Sequence, residues 1–467
     1  MSPKFKTTLL FLVLALLREV SFGQNNTLLD NYIKEGISNN TALKSQQFDL
    51  EKSYKALEQA QTLFKPQVNF QMQYTLAAGG RQTSLPVGDL LNPVYNTLNR
   101  LTQSKDFNNI DNSTINFLPN NFHDTKIHTE YPVLNKEIYY NREIRKELIS
   151  LEQAKIDIYK RELVKNIKMA YIQYCQAQKA VEIYKNALGL VNENLRVNQK
   201  LLKNEIATQA PVLKAKVEVS KVENSIVEAE NAAKNAAAYF NFLLNKPLDS
   251  TIQIDFDLIH QVTESLSPPR GVGTGSLYPL PQTNDILQNR EELAQLQSGQ
   301  RTAALQLKMA ESYKIPKIGV ALDMGFQGFG FKVWDKQAYF LLGLQMQLPI
   351  YTAGANKLKM EQTQLDIKKL DAQKTDAVQQ IQLQIQVAQT NLETAQKALV
   401  VNETEMQSAR EYYRLMERRY REGQALQIEL TDARTQLTTA ELKQSVAKFN
   451  VILRGVELER AEASFKF

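Results

Sequence analysis

The sequence predicts a mixed protein of long α-helices and membrane-type β-strands, used twice as a tandem repeat. Three observations carry this. Four segments alternate apolar and polar residues, two runs of some 65 residues keep a heptad spacing, and the two halves share one order of parts.

The strands come first. Val68, Phe70, Met72, Tyr74 and Leu76 alternate with Gln67, Asn69, Gln71, Gln73 and Thr75. Ile127, Thr129, Tyr131 and Val133 form a weaker second set. Ile318, Val320, Leu322, Met324 and Phe326 form a third, and Phe340, Leu342, Leu344, Met346 and Leu348 a fourth. A strand buried on both faces would be apolar throughout, so each of these has one polar face. Prolines bracket each pair, Pro66 with Pro132 and Pro316 with Pro349, as suits strand ends. The first bracket encloses an asparagine-rich stretch from Ala77 to Asp124, expected to be a solvated surface loop.

The helices follow. Tyr174, Ala177, Val181, Tyr184, Leu188, Val191 and Leu195 step by 3 and 4, and so do Ile381, Ile385, Ala388, Leu392, Ala395 and Leu399. Met406, Ala409, Tyr413, Met416 and Tyr420 resume the second seam. Each run is on the order of 100 Å of helix. Each is then broken and followed by a returning helix. Pro132 to Pro211 is 79 residues and Pro349 to Glu429 is 80, so the halves are one design repeated.

The expected organisation is a signal peptide at 1–23 and a first repeat at 24–244. The first repeat holds a hairpin at 65–134, its long loop at 77–124, and a tip turn at 203–211. A linker at 245–282 contains the strand-like "TIQIDF". The second repeat, 283–467, holds a hairpin at 315–349 and a tip turn at 421–429. The signal reading rests on Lys4 and Lys6, an apolar core from Thr7 to Leu17, and small residues Ser21 and Gly23. Removing that segment takes away three cations and one anion, lowering the net charge from +6 to +4. No basic cluster suggests nucleic acid. The single Cys175 excludes an internal disulfide and reads as a packed thiol beside the seam.

Four lipid-type strands are too few to close a membrane barrel, for which about 8 is the minimum. An open sheet would leave unpaired edges in the bilayer. Several copies must therefore share one barrel: two copies would supply 8 strands and three would supply 12. An exported, soluble coiled-coil scaffold or adaptor with a small water-facing sheet is the alternative from another class.

The chain resembles the TolC-like outer membrane efflux proteins. The resemblance rests on the tandem order, on "NNTALKSQQFDL" and "NREELAQLQSG" opening the halves, on "LPIYTAGAN" after the second hairpin, and on the two helix-breaking turns. It implies a homotrimer, with a 12-stranded barrel in outer-membrane lipid continuing into a periplasmic coiled-coil tunnel. It implies a passive exit duct for efflux or type I secretion, served by a periplasmic adaptor (membrane fusion) protein. The energy would come from an inner-membrane transporter of RND, ABC or MFS type. No cofactor, enzyme activity or nucleic-acid partner is implied.

The tip turns carry the candidate site. Glu429 and Asp432 lie three apart, so a helix sets both carboxylates on one face and threefold symmetry would make rings that favour cations. The plain reading is two solvated carboxylates near a helix start, favoured there by the dipole. The resemblance assigns Gly423, Glu429, Asp432 and Ala433 to an acidic periplasmic entrance. It assigns Gly423, Gln424, Ala425 and Leu426, with Glu205, Ile206, Ala207, Thr208 and Pro211, to the adaptor-contacting turns. Tyr420 is a candidate gate residue or simply the last seam position. Three positions depart from the family pattern. Ala425 replaces an arginine, Pro211 an aspartate and Glu205 a glycine, so the closed tip must be held by other contacts. Pro211 suits the first residue of the returning helix.

Other chemistry is thin. His123 and His128 read as loop and strand-surface residues and His260 lies in the linker, which argues against a metal site. "AAGGR" and "GFQGFGF" do not precede a helix as a phosphate loop must. Trp334 fits a hairpin tip at a bilayer interface or simple loop packing. The terminal "SFKF" lies more than a hundred residues past the last strand and is discounted as a barrel signal.

Overall fold

The computed structural model describes residues 28–206, 208–255, 290–330 and 335–465. The signal segment, His260, most of the linker, Trp334 and Ala207 lie outside the described residues. The chain divides into two compact units. One takes its residues from Met1–Ser53, Leu148–Gln300 and Lys368–Phe467, the other from Tyr54–Glu147 and Arg301–Ile367.

The second unit holds the strands. β1 (Gln67–Thr75), β4 (Phe122–Leu134), β5 (Lys317–Phe329) and β6 (Ala338–Gln347) form one antiparallel sheet in the order β1-β4-β5-β6. All four expected strands are present, and the two hairpins join along β4 and β5. The sheet is two-faced as the alternation demands. On the apolar face Phe70 is 70% exposed and Leu344 74%, so no described residue covers them.

Two sequence expectations need correction here. β4 begins at Phe122, earlier than its apolar alternation shows, and His123 within it is fully buried rather than a surface residue. Pro132 lies near the end of β4, as read, and β1 pairs only as far as Glu130, so the proline breaks no β1 rung; a bulge follows between Pro132 and Leu134.

The asparagine-rich excursion is not a bare loop. It contains β2 (Gln82–Leu85), α3 (Val87–Thr102) and β3 (Ser113–Asn116). Its asparagines are staples. Asn99 accepts from Phe107 N at 3.1 Å and donates to Phe107 O at 2.8 Å; Asn92 pairs in the same way with Ile110 at 2.9 and 3.0 Å. Asn112 Oδ1 accepts from Gly88 N and Asp89 N at 3.0 and 3.1 Å, satisfying amides at the α3 start that have no helical partner. A side chain with both a donor and an acceptor can mimic a backbone rung, which is why this composition orders the segment.

The first unit is helical. α1 (Leu28–Asn39) and the start of α2 (Thr41–Thr62) pack with the bulk of α4 (Lys136–Lys203), α5 (Gln209–Leu243), α6 (Glu291–Glu311), α7 (Ala355–Arg421) and α8 (Gln427–Glu462); α6 and the first turns of α4 and α7 also supply the second unit. Its largest apolar cluster gathers Tyr32, Ile167, Tyr171, Cys175, Phe240 and Phe449. Tyr32 meets Phe240 edge-on, ring centroids 5.1 Å apart. Cys175 is fully buried, as read, and burial pushes its thiol up to about 12. The α7 seam from Ile381 to Leu399 is buried as its spacing requires. In α4, Val181 and Val191 are buried, but the core face widens to take in Ile183 and Ala187.

Thr251–Asp255 forms no strand, contrary to the reading of "TIQIDF". Tyrosines hold it instead: Gln253 N donates to Tyr32 Oη and Asp255 N to Tyr171 Oη, each at 3.0 Å. The opening of the second half serves as an ionic tie. Arg290, 2% exposed, donates to Ala461 O at 2.6 Å and pairs with Glu292 at 3.0 Å. Arg161 reaches Glu291 and Phe465 O, so the C-terminal tail is docked in the helical unit, away from any strand role. Among the described residues no helix is long and apolar enough to cross a membrane.

Candidate functional site

Both helical turns at the tip are built by one backbone device. α4 ends with Glu205 N on Leu202 O and Ile206 N on Leu201 O, both 3.0 Å. α7 ends with Gly423 N on Tyr420 O at 3.1 Å and Gln424 N on Arg419 O at 2.8 Å. This pairing satisfies the last carbonyls of a helix and needs one residue in the left-handed conformation. Gly423 takes it at φ +73°, with no side-chain penalty. Glu205 takes it at φ +58°, at the place where the sequence departs from glycine. α5 and α8 end in the same way at Asn245 and Ala463.

The returning helices start just beyond. Thr208 precedes α5, which begins at Gln209, so Pro211 lies two residues inside the helix rather than opening it. Its missing N–H still costs nothing, because first-turn amides have no helical acceptor. Leu426 precedes α8. Glu429 is exposed, and its Oε2 accepts from Leu426 N at 2.7 Å, folding the carboxylate back over the helix start. Asp432, also exposed, accepts from Gln436 Nε2 at 2.7 Å. The chain thus puts both carboxylates at the start of α8, with Glu429 employed in capping. Ala433 beside them is fully buried. Ile206, Leu426 and Ile428 are exposed apolar side chains on these turns.

Three contacts join the halves of the tip. Tyr420 Oη donates to Asn198 Oδ1 at 3.0 Å, and burial pushes the phenol up against the opposing effect of this bond. Gln427 Nε2 donates to Pro211 O at 3.1 Å. Arg434, 6% exposed, pairs with Glu218 at 2.9 Å. Burial alone would raise the Glu218 carboxyl, but Lys221 and Arg434 outweigh it and hold it below the usual range. The sequence reading named Tyr420 and Pro211 but none of the three pairings. Asn198 was within reach, because it is the next step of the seam after Leu195, and a polar residue on an apolar seam needs a partner. Arg434 and Glu218 sit among many exposed charges and carry no such signal.

Residues 283–461 match the model of the family described as outer membrane efflux protein. That match spans most of the second half of the chain. A search of the curated proteins finds no match. Among solved structures, the outer-membrane channel OprN superposes with a TM-score of 0.72 at 16% identity, over 94% of this chain and 90% of that one. VceC from Vibrio cholerae gives 0.70 at 15%, over 93% and 95%, and the CmeC channel of Campylobacter jejuni gives 0.71 at 13%, over 93% and 85%. The chain therefore shares the fold of these outer-membrane channels along nearly its whole length.

Proposed function

We propose that the chain is one of three protomers of an exit duct in the outer membrane, passive and without catalysis. The observation that carries this is the sheet. Among the described residues its apolar face is bare, and its order ends at β1 and β6, so both edges are open within the single chain. In hydrocarbon each unpaired backbone group costs several kcal/mol, so β6 of one copy must pair with β1 of the next. Three copies make a 12-stranded barrel with room for a channel. The long helices then form a periplasmic tunnel ending at the turns around Glu205 and Gly423. Exposed Ile206, Leu426 and Ile428 suit contact with a periplasmic adaptor. The driving transporter in the inner membrane supplies the energy, in a tripartite efflux or type I secretion assembly.

At the entrance, three copies of Glu429 and Asp432 form an acidic collar that favours cations. The test is conductance of the purified chain in a planar bilayer, beside Glu429→Gln/Asp432→Asn. The reading expects cation-preferring channels whose selectivity drops in the double variant. Channels of unchanged selectivity would remove the collar and keep the duct. A chain that forms no channels and stays soluble without detergent would be the coiled-coil scaffold instead.

A further inference from the structure

On the polar face of the sheet, the charge lies on β4 and β5. β1 contributes Gln67, Asn69, Gln71 and Gln73, which bear no charge. β4 contributes Asp124, Lys126, His128 and Glu130, and β5 contributes Asp323 opposite His128 and, at its start, Lys317, which Glu137 neutralises at 2.7 Å. From β6 only Tyr339 is titratable, and its Oη donates to Asp124 Oδ1 at 2.8 Å.

The seam between β4 and β5 is a connected chain of contacts. Lys126 Nζ donates to Asp323 Oδ2 at 2.8 Å and lies 3.8 Å from Asp124. His128 meets Asp323 through Nδ1 and Glu130 Oε1 through Nε2, the latter at 2.9 Å. An ionised carboxylate only accepts hydrogen bonds, so an imidazole held by carboxylates on both nitrogens carries both protons and is a cation. Gly325, the residue opposite Lys126, closes the strands together here: a Cβ would lie 2.2 Å from Thr125 O and 2.7 Å from Lys126 Cα. Three carboxylates against Lys126 and the imidazolium leave one excess negative charge per chain.

We propose that this seam is a second charge filter, set in the barrel wall, that selects cations over anions and is strengthened when His128 loses a proton. The inference rests on the duct reading, in which the polar face lines the lumen. A neutral imidazole has one donor and one acceptor, so it can satisfy only one of its two carboxylates. Deprotonation therefore frees a carboxylate and raises the excess from one negative charge to two per chain. Threefold symmetry multiplies the change into a ring, the arrangement that sets ion selectivity in pores. Neutral and cationic solutes pass such a ring more readily than anions, and increasingly so as pH rises.

The test is the K⁺/Cl⁻ permeability ratio of the reconstituted full chain, from reversal potentials in a salt gradient, between about pH 6 and about pH 9, the span in which a histidine can change charge. The wild type should gain about twofold or more in cation preference across that span. His128→Gln should be flat, while Glu429→Gln/Asp432→Asn should keep the pH response. Asp323→Asn should lower the ratio at every pH. A wild type with no pH response, or a response that survives His128→Gln, would overturn the filter and leave the duct standing. The wild-type series needs no substitution to fold. Absence of any conductance would overturn the duct and the filter together.

Discussion

Tyr420 Oη donates to Asn198 Oδ1 at 3.0 Å, and Asn198 is 1% exposed. The amide spends its own donor on Asn194 O at 2.8 Å, so its oxygen depends on Tyr420. Tyr420→Phe should strand that oxygen and cost about 1–3 kcal/mol, the penalty of an unsatisfied buried acceptor. Asn198→Leu in the same chain should recover part of the loss, since removing both partners is milder than removing one. A double-mutant cycle in chemical denaturation measures the coupling; no coupling would mean that the contact adds nothing.

Glu205 holds a left-handed conformation that Gly423 holds at the other turn. Glu205→Gly should raise stability by about 1 kcal/mol, and Gly423→Ala should lower it by a similar amount. Denaturation midpoints of the two variants should move in opposite directions.

Arg434 is buried against Glu218, and its other two nitrogens, Nε and Nη1, have no hydrogen-bond partner among the described residues. Glu218→Gln should therefore destabilise by about 2–3 kcal/mol, because it leaves a buried guanidinium without its counter-charge. The Glu218 carboxyl is held below its usual range in the fold. Its contribution is present in full above the unfolded carboxyl value, about 4.3, and is lost as pH falls through the lower folded value. Stability measured from neutral to acid pH should fall less steeply in Glu218→Gln than in the wild type.

Asn112 caps α3 from 23 residues away. Asn112→Ala should cost about 1 kcal/mol locally and speed amide exchange at Gly88 and Asp89, with β1 and β4 unchanged. Equal protection in the variant would show that α3 does not depend on this cap.

Much of the fold was legible because each strand must meet two solvents. Phe340, Leu342, Leu344 and Met346 announce a strand without help from any other part of the chain. The heptads of α7 are equally local. His123 could not be placed this way, since its full burial in β4 is not announced by its own polarity. The excursion was misread for a related reason. Asn92 and Asn99 find backbone partners 18 and 8 residues away, a pairing that composition does not encode. At the tip, Glu205 marked a departure in the sequence, and the structure shows its form as a left-handed residue without glycine. Arg434 and Glu218 are 216 residues apart, and only the packing of α5 against α8 makes them a pair.

In the shared barrel, β6 of one copy pairs with β1 of another. Cysteines at Met72 and, in turn, at Leu342, Leu344 and Met346 would place thiols on the apolar faces of the two edges, in a Cys175→Ser background. Oxidation of the membrane-inserted protein should give covalent dimers and trimers, and no larger species, for one of these partners. Monomers throughout the series, with the protein confirmed in the membrane, would contradict the shared barrel.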